Sequence, residues 1–236
     1  MRIWIAAVFV FNVLNVFKHV EARPSASPNL RICSQSPAFL PGADLSNYQP
    51  QENWSLMKEG GVQFVFIKAS EGKTRMNRDF SSQWQGANQV GIARGAYHFF
   101  HPKDDPRLQA QLFLNAVGDL RDDDLPAVLD WEVTDGLPIK TQIANALTWL
   151  QIIERETGKR PILYTGTKFW NSLGNPQPFV IYPLFIANYG VSCPHVPPPW
   201  SNWAFWQSGT GPESGVSTKK VDLDRFNGDL EQLFQL

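Results

Sequence analysis

The chain has 236 residues and a formal net charge of −1, with 43% hydrophobic and 13% aromatic residues. Such a length and apolar content build one sizeable domain with its own core, which excludes a disordered or fibrous chain. Without a basic stripe to neutralise phosphates, nucleic acid is not expected as a partner.

The N-terminus reads Met1-Arg2, a mainly apolar run from Ile3 to Phe17, then Val20-Glu21-Ala22. A basic start, a short apolar centre and small residues at a cleavage position predict a signal peptide over 1–22. The run is short for a membrane span and contains Asn12 and Asn15, so a secreted protein without stable membrane association is expected. An arm rich in Pro and Ser follows over 23–41. The two cysteines, Cys33 and Cys193, form an even pair in an exported chain and are disulfide candidates. Neither has a second ligand at C-x-x-C spacing, and no metal site is expected. Asn53-Trp54-Ser55 fits a glycosylation sequon.

From Gly42 onward, strand and helix signals alternate. Gly42 to Ser46 reads as a first short strand, and helical signals around Trp54 close at Gly60-Gly61. Phe64 to Ala69 is a continuous apolar run, as in a buried parallel strand. Phe80, Trp84 and Ala87 share a helix face, and Ala93 to Phe100 forms the third strand. Asp105-Pro106 supplies an N-cap followed by Pro at the first helical position. Asp122-Asp123-Asp124 reads as a solvated turn before the fourth strand. Pro138 opens a long helix, with Ile139, Ile143, Leu147, Leu150 and Ile153 toward the core and Gly158 at its end. Strands are then expected at 161–165, 184–188, 203–207 and 221–224. Eight strands in about two hundred residues predict an α/β fold: a modified, helix-poor, TIM-like barrel in a single domain. A doubly wound open sheet is the competing architecture.

The fourth strand carries the chemistry. Leu125 to Glu132 is an apolar run ending Asp130-Trp131-Glu132. Alternation puts Val128, Asp130 and Glu132 on one face and Leu129 and Trp131 on the other. In a parallel barrel, polar groups at C-terminal strand ends build the active site. Two carboxylates there are the minimum equipment for glycoside hydrolysis, one to protonate the leaving oxygen and one to stabilise or attack the anomeric carbon. Other strand ends add Asp44, Lys68 to Glu71, Tyr97 and His98, Tyr164, Asn188 and Tyr189, Gln207, and Asp222. Nine Trp and sixteen Phe suit both a core and a cleft for sugar rings.

Six ordered segments resemble a known family. They are Gly42 to Gln49, Phe66 to Gly72, Gly95 to Phe99, Leu129 to Glu132, Trp206-Gln207 and Val221 to Leu223. They are similar to the family 25 glycoside hydrolases, the Chalaropsis-type lysozymes or N-acetylmuramidases, with the likeness covering 42–236. The resemblance implies hydrolysis of the β-1,4 bond between N-acetylmuramic acid and N-acetylglucosamine in peptidoglycan. It makes Glu132 the general acid and places Asp130, Asp44 and Asp222 at the other acidic positions. Lys68, Glu71, Tyr97, His98, Tyr164, Asn188, Trp206 and Gln207 are the expected substrate-binding residues. The strand reads Val-Asp-Leu-Asp at 221–224, where the family commonly has Asn last. Peptidoglycan is thus the expected partner, with no cofactor, and the expected form is a monomer. The nucleophile stays open among Asp44, Asp130 and the substrate's own acetamido oxygen. Two alternatives remain. A chitinase-like hydrolase would carry a further Asp where Val128 stands, and a non-catalytic glycan-binding barrel would have lost an acid.

Overall fold

The computed structural model describes residues 33, 39–49, 53–211 and 221–236. The expected signal peptide and most of the arm lie outside the described residues. Among the described residues nine strands run in chain order: β1 (Leu40–Leu45), β2 (Phe64–Glu71), β3 (Arg75–Met76), β4 (Ala93–Phe99), β5 (Val128–Asp130), β6 (Ile162–Gly166), β7 (Leu184–Ala187), β8 (Phe205–Gly211) and β9 (Val221–Phe226). Because β1 pairs with both β2 and β9, eight of them close into a barrel. Closure rules out the open sheet. The two-residue β3, which the sequence pattern does not reveal, hangs from β2 as a hairpin arm.

One strand departs from a parallel barrel. β9 runs antiparallel to β1 and to β8. Parallel neighbours need a crossover of a dozen or more residues, and the segment between Gly211 and Val221 is too short for one. β1 also starts at Leu40, so the barrel takes in two residues expected in the arm.

Six helices among the described residues lie on the outside: α1 (Trp54–Glu59), α2 (Phe80–Gln89), α3 (Pro106–Val117), α4 (Ile139–Thr157), α5 (Thr167–Ser172) and α6 (Leu230–Leu233). The starts of α1, α3 and α6 follow capping chemistry. The Asn53 side chain accepts from the Leu56 N–H, and the Asp105 side chain from the Arg107 N–H ahead of Pro106. Gly158 ends α4 in the left-handed region at φ 69°. The buried stripe of α4 is rotated from the expected one. It consists of Gln142, Ala146, Trp149, Leu150 and Ile153, while Ile139 is exposed. Trp149 sets this rotation, because its ring stacks on His98 of β4 at 5.5 Å and meets Phe113 of α3 at 5.4 Å. Asp124 also differs from a solvated turn residue. It is buried and accepts from Arg94 Nε at 2.7 Å, leaving Asp122 and Asp123 in solvent.

The barrel separates two cores. Outward side chains such as Ile67, Leu129, Trp131 and Ile186 pack under the helices and loops. Inward ones, Phe64, Phe66, Val128, Ile162, Phe185, Phe205 and Phe226, fill the barrel itself. Their rings meet edge-on or tilted, with Phe66 and Phe205 edge-on at a centroid distance of 5.0 Å. Gly42 and Gly95 leave room for this layer, since a Cβ would lie 2.3 Å from the Phe64 ring or 2.5 Å from Phe66. The result is an apolar floor across the barrel, on which everything at its mouth must sit. Cys33 and Cys193 are joined in a disulfide with Cα atoms 5.8 Å apart, pinning the arm to the loop after β7.

Candidate active site

Each strand changes character as it climbs from this floor. Phe64 and Phe66 give way to Lys68, Val128 to Asp130 and Glu132, Ile162 to Tyr164, and Phe205 to Gln207. In antiparallel β9 the order is reversed, and Phe226 lies below Asp224 and Asp222 in chain direction. A cavity of about 310 Å³ opens above the floor. Its lining includes all four expected acids, Asp44, Asp130, Glu132 and Asp222, together with Lys68, Tyr97, Tyr164 and Gln207. A larger hollow between α3 and α4 lies on the helical side, away from the strand ends.

Four expected substrate-binding residues stand elsewhere, for reasons of strand parity and hydrogen bonding. His98 follows the inward Tyr97, so it faces outward. It is fully buried between Ser70 Oγ at 2.8 Å and Gln109 Oε1 at 3.1 Å, and burial holds its pKa down to about 4. Trp206 precedes the inward Gln207 and also faces out, donating to the Asn188 carbonyl at 2.8 Å. The Asn188 side chain is occupied by the His195 N–H at 2.8 Å. Glu71 lies just beyond the cleft, in an adjoining hollow. Tyr189, expected at a strand end, does line the cleft, whereas Ser46, Tyr48 and Phe99 line it without having been singled out by the sequence. Counting in twos from Phe185 and from Tyr97 selects Tyr189 and Phe99.

Gln207 is the hub of one wall. Its amide nitrogen donates to Asp44 Oδ2 at 2.6 Å, and its oxygen accepts from the Tyr164 hydroxyl at 2.8 Å and from Tyr189. Across the cleft, Lys68 Nζ donates to Glu71 Oε2 at 2.8 Å and lies 4.8 Å over the Phe99 ring. Beyond β5, the Trp131 N–H bonds the Tyr164 carbonyl at 3.0 Å, which continues the strand alignment toward Glu132.

The apolar floor and the crowding of acids dictate the electrostatics. Burial, then the Asp222 and Glu132 charges, raise the Asp44 pKa to about 7 against the Gln207 hydrogen bond. Asp130 is raised well above the carboxylate range by burial and by Glu132, with Lys68 opposing. Glu132 stands at the exposed rim, and partial desolvation raises it, with Lys68 opposing and Asp222 adding. Burial raises Asp222 as well. Asp224, 2% exposed and with neither oxygen hydrogen-bonded, is pushed far up by burial and by Asp44 and Asp222. The cluster therefore holds shared protons near neutral pH, and one acid can stay protonated beside an ionised one.

This has a measurable consequence for stability. An acid whose folded pKa is raised stabilises fully below its unfolded pKa, and that stability is lost as pH rises through the folded value. For Asp44 the window runs from 3.8 to about 7. Tm is expected to fall across it by about 4–8 °C, corresponding to roughly 2 kcal/mol once shared protons are discounted. Asp44→Asn should flatten that slope in a thermal melt series. An equal slope in the variant would contradict this origin.

The profile of the family described as "Glycosyl hydrolases family 25" matches residues 43–216. "Lysozyme M1" of Streptomyces globisporus is 32% identical over 94% of this chain and 80% of its own. "N,O-diacetylmuramidase" of Chalaropsis sp is 33% identical over 83% of this chain and 97% of its own. The crystal structure of the bacterial lysozyme from Streptomyces coelicolor superposes with a TM-score of 0.79, at 32% identity, over 84% of this chain and 97% of that one.

Proposed function

Because this chain belongs to glycosyl hydrolase family 25 and is a glycoside hydrolase of the muramidase kind, we propose that Glu132 is the acid with which it cleaves peptidoglycan. The bond is the β-1,4 link between N-acetylmuramic acid and N-acetylglucosamine. Glu132, held above its ordinary value, delivers its proton to the glycosidic oxygen as the bond to the anomeric carbon breaks, and water supplies the hydroxyl that forms the new reducing end. Asp130, two residues away on the same face and itself pushed up by burial and by Glu132, shares protons with Glu132 and orients the acetamido group. Asp44 and Asp222 add negative potential from the far wall, and Gln207 fixes Asp44 relative to Tyr164. Lys68 faces Asp130 and Glu132 and limits how far their pKa values rise.

The observation that carries this reading is the gathering of four carboxylates in one cleft over an apolar floor. Retention of all four acids favours an enzyme over a glycan-binding barrel. We further propose that residues 1–22 are a signal peptide and that an arm from 23 leads into the catalytic barrel, which begins at Leu40, in a secreted monomer. No helix among the described residues is long and apolar enough to cross a membrane.

The bond is tested by digesting purified bacterial walls and reducing the new ends. Muramic acid at the reducing ends is the expected result. Glucosamine there would keep the hydrolase but reject the bond.

A further inference from the structure

The hollow beside the acidic cleft has the opposite charge. It measures about 570 Å³, and Tyr48 and Lys68 line both spaces, so the two adjoin. Its outer wall is the β2–β3 hairpin, in which Glu71 pairs with Arg75 and Ser70 with Met76. The cleft sets four carboxylates against Lys68. The hollow sets Lys68, Arg75 and Arg78 against Glu71.

Glu71 organises the cations. One of its oxygens takes Lys68 and the other takes Arg75. Burial alone would raise the Glu71 pKa, but hydrogen bonds and charge from Lys68, with help from His101 and Arg75, pull it below the usual value, so it remains an anion. Arg75 spends one nitrogen on that contact, and its side chain is still 72% exposed, which leaves donors for an incoming anion. Arg78 is 82% exposed and only loosely paired with Asp79 at 3.5 Å. Tyr48 and Met76, both exposed, flank these guanidinium groups with apolar surface.

Two exposed guanidinium groups suit an anion better than a neutral sugar chain. In peptidoglycan the anions lie off the glycan: each muramic residue carries a lactyl ether that continues into a short peptide with free carboxylates. The cleft acids repel such groups, while arginine binds them in a planar fork. We propose that this hollow is a subsite for a carboxylate of the stem peptide, bound by Arg75 and Arg78. The inference rests on the muramidase reading above and adds recognition of the peptide to that of the glycan.

The test compares two substrates, wall glycan with its stem peptides and the same glycan stripped by an amidase. Stripping leaves only the lactyl carboxylate, close to the ring. For the wild type, kcat/KM on the peptide-bearing glycan should exceed that on the stripped glycan, and added salt should shrink the excess. In Arg75→Gln/Arg78→Gln the ratio of the two values should fall about fivefold, the effect of losing charge-assisted contacts at an exposed site. An unchanged ratio, or a ratio near one in the wild type, would overturn the subsite while leaving the muramidase intact. Absence of muramic acid ends from both substrates with wild-type protein would overturn the muramidase reading itself, and the subsite with it.

Discussion

Glu132→Gln is expected to lower kcat on purified walls by about a thousandfold, within the range a positioned general acid contributes. The replacement keeps the volume and polarity of the side chain and removes only the transferable proton. KM should hardly change, because the sugar still meets Asp44, Asp222, Tyr97 and Tyr164 in the same cavity. Stability should not drop. The native carboxyl has a raised pKa, so its ionised form is disfavoured in the folded state, and a neutral amide relieves that. A variant that lost activity together with Tm would point to a structural role. A variant that kept activity would remove Glu132 from the reaction.

Trp131→Ala is expected to produce the largest loss of stability. Its ring is completely buried behind β5, meeting Phe169 and Phe179 at 5.7 Å, Trp170 at 6.0 Å and Phe100 at 6.3 Å. The indole N–H is satisfied by the Val133 carbonyl at 3.1 Å. Truncation would empty the centre of an aromatic cluster that cannot collapse without moving α5, at a cost of about 3–5 kcal/mol. A Tm decrease of about 10 °C should follow. Activity should fall too, since Trp131 joins Asp130 to Glu132 and its packing holds both acids on the cleft side. Trp131→Phe should recover most of the Tm. A decrease of less than about 2 °C for the alanine variant would show that the cluster does not anchor this strand.

The same residue shows what the sequence could reveal. Alternation along 128–132 separates the acids from Leu129 and Trp131 without any structure, because a strand has a strict period of two. Strands such as β2 and β7 are visible as apolar runs for a related reason: they are buried on both faces. Closure is a different matter. It depends on the β1–β9 pairing, a contact between the two ends of the domain that no local pattern encodes. The antiparallel sense of β9 is also not local, although the short connection before it is a clue. The choice between His98 and its neighbours failed where parity was not applied, as one strand cannot turn both Tyr97 and His98 inward. The rotation of α4 eluded the apolar periodicity because Trp149 and Ala146, which do not repeat on the Ile and Leu stripe, make the close contacts. Asp224 was visible as a departure from the family pattern. Its burial without a hydrogen-bond partner became apparent only when the phenylalanine floor was in place.

The central claim is that the carboxylate cluster cleaves the glycan and that Glu132 supplies the proton. The most direct test incubates purified walls with residues 23–236, wild type beside Glu132→Gln, and follows reducing ends and wall binding in the same samples. Muramic acid ends from the wild type, almost none from the variant, and equal binding by both are the predicted result. Equal release by both proteins, or bound wild-type protein that releases no ends, would contradict it.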